Sequence, residues 1–222
     1  MIIRDGENAY GFVHNPRTSG TSITEYLIQH CGGRVLANLP QYLRQHSIYA
    51  EEVRYRKFPN HYLFGFIRNP FSREYSLYQL YCQARKSTID FKSWCLSEDR
   101  TYRRPQYGYF CDRDGKLVAT AFRYEDRTNA IEQISSIIKT DAYKFASFTS
   151  SKSPVFGVDM SYVKMYDNEM IESISKHYAV DLQAFGYYFD GYNEDIQEVP
   201  FQFTEDTIYY SQPPIAVGVI NV

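Results

Sequence analysis

Tyr62–Ile67 (YLFGFI) is a continuous apolar run without a charged residue, and it narrows the folds open to this chain more than any other segment. Such a run reads as a strand buried on both faces, as strands of a parallel sheet covered by helices are. Its surroundings agree. Ala9–His14 (AYGFVH) reads as a short strand, Asn15–Gly20 (NPRTSG) as a small-residue turn, and about Thr21 to Cys31 as a helix closed by Gly32-Gly33. After Tyr62–Ile67 come Arg68-Asn-Pro and a helix from about Phe71 to Arg85, with Phe71, Tyr75, Tyr78 and Cys82 at helical spacing. Asp112–Gly115 (DRDG) reads as a turn, Lys116–Tyr124 as a strand, and Thr128–Lys139 and Asn168–Tyr178 as helices. Strand–helix alternation of this kind indicates an α/β layered sheet. Residues 188–222 show little period and are expected to be irregular or weakly extended.

The 222 residues suit one compact domain, 1–222, without a linker or repeat to divide it. Hydrophobic content of 44% and charged content of 23% exclude a disordered chain, a collagen and a coiled coil. The apolar stretches fall short of the ~20 residues that span a bilayer. Met1-Ile-Ile-Arg-Asp-Gly-Glu lacks the basic start and apolar core of a signal peptide. Cys31, Cys82, Cys95 and Cys111 form no CxxC pair, so free thiols and a cytoplasmic setting are expected. The net charge of −2 conceals two unequal parts: residues 1–127 hold 19 basic and 13 acidic side chains, residues 128–222 hold 5 and 13. All fifteen arginines lie at or before Arg127, which points to an anionic ligand handled by the first part.

The turn after the first strand is where an anion would sit. Backbone N–H groups at the start of a helix gather positive potential, and Gly20 permits close approach. Ser19, Thr21 and Ser22 add hydroxyls, and Arg17 adds a permanent charge. It is not a Walker A sequence, because Thr21 rather than Lys follows Gly20. An N-cap cluster on an ordinary helix is the other reading of these residues.

Pro16-Arg-Thr-Ser-Gly-Thr-Ser resembles the PKTGGTS loop of the sulfotransferases that use 3′-phosphoadenosine 5′-phosphosulfate (PAPS), where the loop wraps the 5′-phosphosulfate. Arg17 stands in place of the family's Lys and Ser19 in place of its first Gly. Arg effectively never gives up its proton, so electrostatic help to the leaving group is what Arg17 can supply. Phe64-Gly-Phe-Ile-Arg-Asn-Pro-Phe-Ser-Arg-Glu-Tyr-Ser-Leu-Tyr is similar to the FVRNPydRlvSlY signature that holds the 3′-phosphate. Arg68 and Ser76 match its two contacts; Arg73 also matches, as an ion-pair or a ligand residue. Without the family, an Arg at the carboxyl end of a buried strand still points into the cleft outside a parallel sheet. Its other reading is a cap on a neighbouring helix or a pair with Glu74.

Further pieces resemble the carbohydrate branch of the family: Arg104-Pro-Gln-Tyr-Gly-Tyr, Asp114-Gly-Lys-Leu-Val, Phe122-Arg-Tyr-Glu-Asp, and Met165-Tyr-Asp-Asn-Glu-Met through Asp181-Leu-Gln-Ala-Phe-Gly-Tyr. The resemblance spans about residues 9–188. It implies a P-loop-NTPase-like central parallel sheet flanked by helices, PAPS as donor, 3′-phosphoadenosine 5′-phosphate (PAP) as product and no metal. Arg17, Thr18, Ser19, Gly20, Thr21, Ser22, Arg68 and Ser76 would hold the nucleotide. Gln45-His-Ser-Ile-Tyr-Ala-Glu-Glu resembles the segment that carries a catalytic His in glycan-acting members, which makes His46 the candidate base. His14 falls at the loop entry, as packing beneath it, and His30, His61 and His177 are structural or exposed. Ser151-Lys152-Ser153 sits where such enzymes often have a cofactor-contacting loop, with a solvated lysine as the other and favoured reading, and Glu125 is expected to order Arg123.

The expected acceptor is a glycan or glycan-like hydroxyl, with no nucleic-acid polymer or membrane as partner. The acidic second part argues against a heavily sulfated acceptor lying across it. A protein tyrosine or small metabolite remains open as acceptor. A P-loop kinase would want Lys after Gly20 and a strand-end acid, and a non-catalytic RNA binder would want its arginines run together.

Overall fold

The computed structural model describes residues 2–5, 8–33, 60–100, 103–111, 114–151 and 160–193. His46, Lys152, Ser153 and residues 194–222 lie outside them. Strands β1 (Ile2–Asp5), β2 (Asn8–Val13), β3 (Asn60–Ile67) and β4 (Thr120–Arg123) form one sheet in chain order. β2, β3 and β4 run parallel, with Phe12 opposite Phe64 and Phe66 opposite Phe122; β1 pairs antiparallel on the outer edge of β2. Parallel neighbours place their carboxyl ends on one side of the sheet. The loops leaving Val13, Ile67 and Arg123 therefore share one edge, and the site is built there.

Helices cover both faces, as the apolar run at 62–67 requires. On one face Tyr10, Phe12, Phe64, Phe66 and Phe122 pack against α1 (Gly20–His30), α5 (Arg127–Ile138) and Phe145 of α6 (Ala142–Ser151). On the other, Val13 and Ile67 meet α4 (Tyr107–Phe110) and α8 (Ala179–Phe185). Gly65 is what lets α4 approach: a Cβ there would stand 2.6 Å from the Val13 carbonyl oxygen and 3.0 Å from the Phe110 ring. A third apolar cluster joins α2 (Pro70–Arg85) and α3 (Phe91–Leu96) to a 3₁₀ helix (Met160–Met165) and α7 (Asn168–His177). The chain then closes with a small hairpin of β5 (Tyr187–Tyr188) and β6 (Gly191–Tyr192).

The α/β expectation holds, and the predicted elements appear within one or two residues of their bounds, with one larger difference. The strand expected over Lys116–Tyr124 pairs with β3 only from Thr120. Its first half is committed elsewhere: Leu117 bridges Cys111, and the Val118 and Ala119 N–H groups donate to the Phe110 carbonyl. All four cysteines are free thiols. Among the described residues no helix is long and apolar enough to cross a membrane.

Several polar residues are buried behind α2. Glu74 has no exposed surface; it accepts from Trp94 Nε1 at 2.6 Å and Tyr178 Oη at 2.5 Å and pairs with Arg103 at 2.5 Å. His177 bonds the Arg103 carbonyl, and burial holds its imidazole down at about 3, from an ordinary 6.5. The unfolded chain thus takes up a proton between those values that the folded chain refuses. Stability contributed by His177 is complete above pH 6.5 and falls as the pH drops toward 3. Urea unfolding of wild type and His177→Gln between pH 6 and 4 should differ in slope by about 1.4 kcal/mol per pH unit, with the wild type steeper. Asp181, which titrates oppositely, is common to both proteins and cancels.

Candidate functional site

The loop from β2 to α1 turns on two left-handed residues that are not glycine, Arg17 at φ 67° and Ser19 at φ 61°. Its interior is fixed by side chains. Asn15, wholly buried, donates to the Phe66 carbonyl at 2.9 Å and to Gln106 Oε1 at 2.8 Å, and Thr18 Oγ1 donates back to the Asn15 carbonyl at 2.8 Å. Ser22 Oγ donates to the Ser19 carbonyl at 3.0 Å. Gly20 lies against His14, and any Cβ at 20 would overlap the imidazole ring. His14 is therefore the floor of the loop, as expected, and glycine is required by that floor. The first N–H groups of α1 have no partner within their own helix, and Ser19 does not cap them.

The loop from β3 to α2 faces it. Asn69 caps α2, accepting from Phe71 N at 3.0 Å, and Pro70 occupies the first helical position, where a missing N–H costs nothing. Arg68 stands just beyond the end of β3, half-buried. Its Nε donates to Ser72 Oγ at 2.9 Å, its Nη1 points to the Arg17 carbonyl at 3.4 Å, and its guanidinium lies 5.1 Å from the Tyr124 ring centre. Arg17 reaches the other way, donating from Nε to Ser76 Oγ at 2.8 Å. Arg17, Arg68 and Ser76, separated by up to 59 residues in sequence, thus meet at one place. Arg127, at the start of α5, completes the group by donating to Ser19 Oγ at 3.3 Å.

The electrostatics of this place are unusual. Burial first, and the charge of Arg68 second, hold the Arg17 guanidinium below its ordinary range, with Arg73 adding to the effect. Burial does the same to Arg127. Among the described residues the ion pairs are Lys92 with Asp167 and Glu169, and Arg103 with Glu74, so Arg17 is close to cations and in none of these pairs. A cationic group desolvated beside other cations is the arrangement an anion relieves.

Two residues do other work than the sequence indicated. Arg73 is fully buried and donates to the Pro16 carbonyl from Nε and to the Arg104 carbonyl from Nη1, both at 3.0 Å, so it neither forms an ion pair among the described residues nor faces the cleft. It fastens the first loop to α2 from behind. Glu125 does not order Arg123. It accepts from Asn69 N at 2.6 Å and Tyr187 Oη at 2.8 Å, because the α2 N-terminus presents an open N–H there. Arg123 instead lies between the Tyr187 and Tyr192 rings and donates to the Phe185 and Asn193 carbonyls. The pairing of Arg68 with Glu74 does not occur either, since Glu74 is buried with Arg103.

Sequence reasoning missed Gln106, Tyr124 and Arg127. Gln106 was legible as the Gln of Arg104-Pro-Gln-Tyr, but only the fold reveals that it binds both loops; Arg127 was legible as the last arginine of the basic part. Arg73→Met should lower the unfolding free energy by about 2–4 kcal/mol in urea titrations, because it strips the donors from two interior carbonyls.

No protein-family profile matches the chain, and no curated protein matches it. Among solved structures it is similar to a sulfotransferase from Alicyclobacillus acidocaldarius, at 14% identity and a TM-score of 0.43, over 82% of this chain and 94% of that one.

Proposed function

We propose that the chain is a sulfotransferase that moves a sulfuryl group from PAPS to a hydroxyl of a carbohydrate or glycan-like acceptor. The observation that carries this reading is the meeting of Arg17, Arg68 and Ser76 beside the open N-terminus of α1, at the carboxyl edge of the parallel strands. A phosphosulfate suits the α1 end: the N–H groups of Gly20, Thr21 and Ser22 have no partner within their own helix, position 20 carries no side chain, and Arg17 precedes them in the same loop. A second phosphate suits Arg68 and Ser76, one charged donor and one hydroxyl. Bound there, PAPS supplies an activated sulfuryl group.

The roles of the protein groups follow from what sulfuryl transfer requires, by analogy with in-line phosphoryl transfer. Arg17 answers charge on the leaving phosphate without giving up its proton, and its contact with Ser76 fixes the direction of the fork. The α1 N–H groups answer charge on the equatorial oxygens. His46 takes the acceptor proton as general base. The segment after β3 begins with Arg68, and Glu125 after β4 is engaged with Asn69 N and Tyr187 Oη; this disfavours a kinase, which would place an acid there for Mg²⁺.

Calorimetry with PAP and with ATP and Mg²⁺ tests the reading. PAP should bind at micromolar level without metal, and Arg68→Met should weaken it by at least about 100-fold, the worth of a charged phosphate contact. Preference for ATP with Mg²⁺ would sink the proposal. For the base, His46→Ala should reduce turnover, followed as PAP release with a panel of neutral glycans, by about 10²–10⁴-fold while PAP still binds. Undiminished turnover would remove His46 from the mechanism.

A further inference from the structure

We propose that Arg127 is a positioning residue whose hydrogen bond to Ser19 keeps the N-terminus of α1 open to an anion. The inference rests on the reading of that N-terminus as an anion site. Serine immediately before a helix ordinarily turns its hydroxyl oxygen onto the N–H of the second or third helical residue, from an extended backbone conformation. Here those residues are Thr21 and Ser22, and theirs are the donors an anion would need. Ser19 does neither of the ordinary things. It is left-handed, at φ 61° and ψ 21°, and its side chain makes no capping bond. Its Oγ accepts instead from Arg127 Nη1 at 3.3 Å.

The left-handed conformation is one that glycine adopts freely and serine does not, so Ser19 is under standing pressure to return to the extended form. In that form it would cap α1 with its own oxygen and compete with the ligand. Arg127 opposes the return. It is 6% exposed, at the first position of α5, and its guanidinium lies 5.9 Å from the Tyr124 ring centre, so the donor is held in place. The Ser19 carbonyl is held as well, by Ser22 Oγ at 3.0 Å and Ile23 N at 3.1 Å, which leaves the Ser19 side chain as the part that Arg127 governs. A glycine at 19 would need no such device, having neither the strain nor the hydroxyl. A direct charge effect of Arg127 on an anion is a different role, and it would not depend on the residue at 19.

A double-mutant cycle separates the two roles, with inorganic pyrophosphate and PAP as calorimetric probes at low salt and thermal melting to confirm folding. Arg127→Met should weaken pyrophosphate about tenfold, the worth of a competing cap. Adding Ser19→Gly to Arg127→Met should return the affinity to within about threefold of wild type, because glycine can neither cap nor resist φ 61°. Should Arg127→Met not fold, Arg127→Gln with and without Ser19→Gly gives the same comparison. An equal loss with Ser19 intact and in the Ser19→Gly background overturns the proposal and leaves Arg127 acting by charge. If pyrophosphate binds and the rescue holds while PAP does not bind, the nucleotide reading falls and the role of Arg127 stands. Binding of neither probe to wild type overturns both.

Discussion

Gln106 has no exposed surface, and its side-chain amide touches both loops that carry the site. Its oxygen accepts from Asn15 Nδ2 at 2.8 Å and from Arg68 N at 2.9 Å, while its nitrogen donates to the Arg68 carbonyl at 2.7 Å. An amide is the side chain that can answer a neighbouring N–H and C=O together, being donor and acceptor at once. Gln106 is itself held from behind: the Gln106 and Tyr107 N–H groups donate to the two oxygens of buried Asp181, at 2.7 and 2.8 Å. Burial pushes that carboxyl up to about 6, against the pull of the two N–H bonds. The chain of contacts runs from α8 through Gln106 to the ends of β2 and β3, so the spacing of the two loops is set by interior hydrogen bonds rather than by the loops. Each bond is worth only about 1 kcal/mol net, but a partner left alone in the interior costs about 1–3 kcal/mol. That asymmetry makes the arrangement all-or-none.

Such a frame is needed because the groups it holds repel one another. Arg17 and Arg68 would separate if their loops were free, and hydration would reward them for doing so. Instead Asn15, Thr18 and Arg73 close the first loop from inside, and Asn69 and Glu125 close the second. The hairpin joins the second closure, since Asn69 Nδ2 donates to the Tyr188 and Gly191 carbonyls at 2.9 and 3.2 Å. The resulting site keeps its positive potential before any ligand arrives, so little reorganisation is left for the moment of binding.

The parallel part of the sheet was legible because its signals are local, whereas the antiparallel edge strand Ile2–Asp5 was not anticipated. An apolar run at 62–67, glycines after α1 and an Asn-Pro pair before α2 each act over a few residues, and each element appeared where expected. Arg17, Ser19, Arg68 and Ser76 stand at short offsets from strand ends, so placing the strands already places these residues on one edge of the sheet. What was not legible is pairing across distance. Glu125 stands beside Arg123 and Asp126 in sequence yet answers an N–H 56 residues away. Arg73 and Glu74 are adjacent on α2, both fully buried, and reach different partners: backbone carbonyls for one, Arg103, Trp94 and Tyr178 for the other. Helical spacing assigns such residues to a polar face, and only the elements packed against that face determine what they meet.

The same point changes the meaning of the charge imbalance. An excess of arginine before residue 128 suggests a basic surface, yet Arg73 and Arg103 have essentially no surface at all. Arg73 donates to two carbonyls, Arg103 to Glu74 and the Trp94 carbonyl, and Arg123 to two carbonyls between two tyrosine rings. Arginine suits these places because its planar fork donates in several directions while remaining weakly hydrated. Part of the excess is therefore structural, spent on carbonyls at the ends of elements, and it would contribute little to a long-range field. Three others lie together: Arg17, Arg68 and Arg127 converge on one loop and one helix end. On the proposed reading, three converging guanidinium groups suit a ligand with a few closely spaced anionic groups better than a long polyanion.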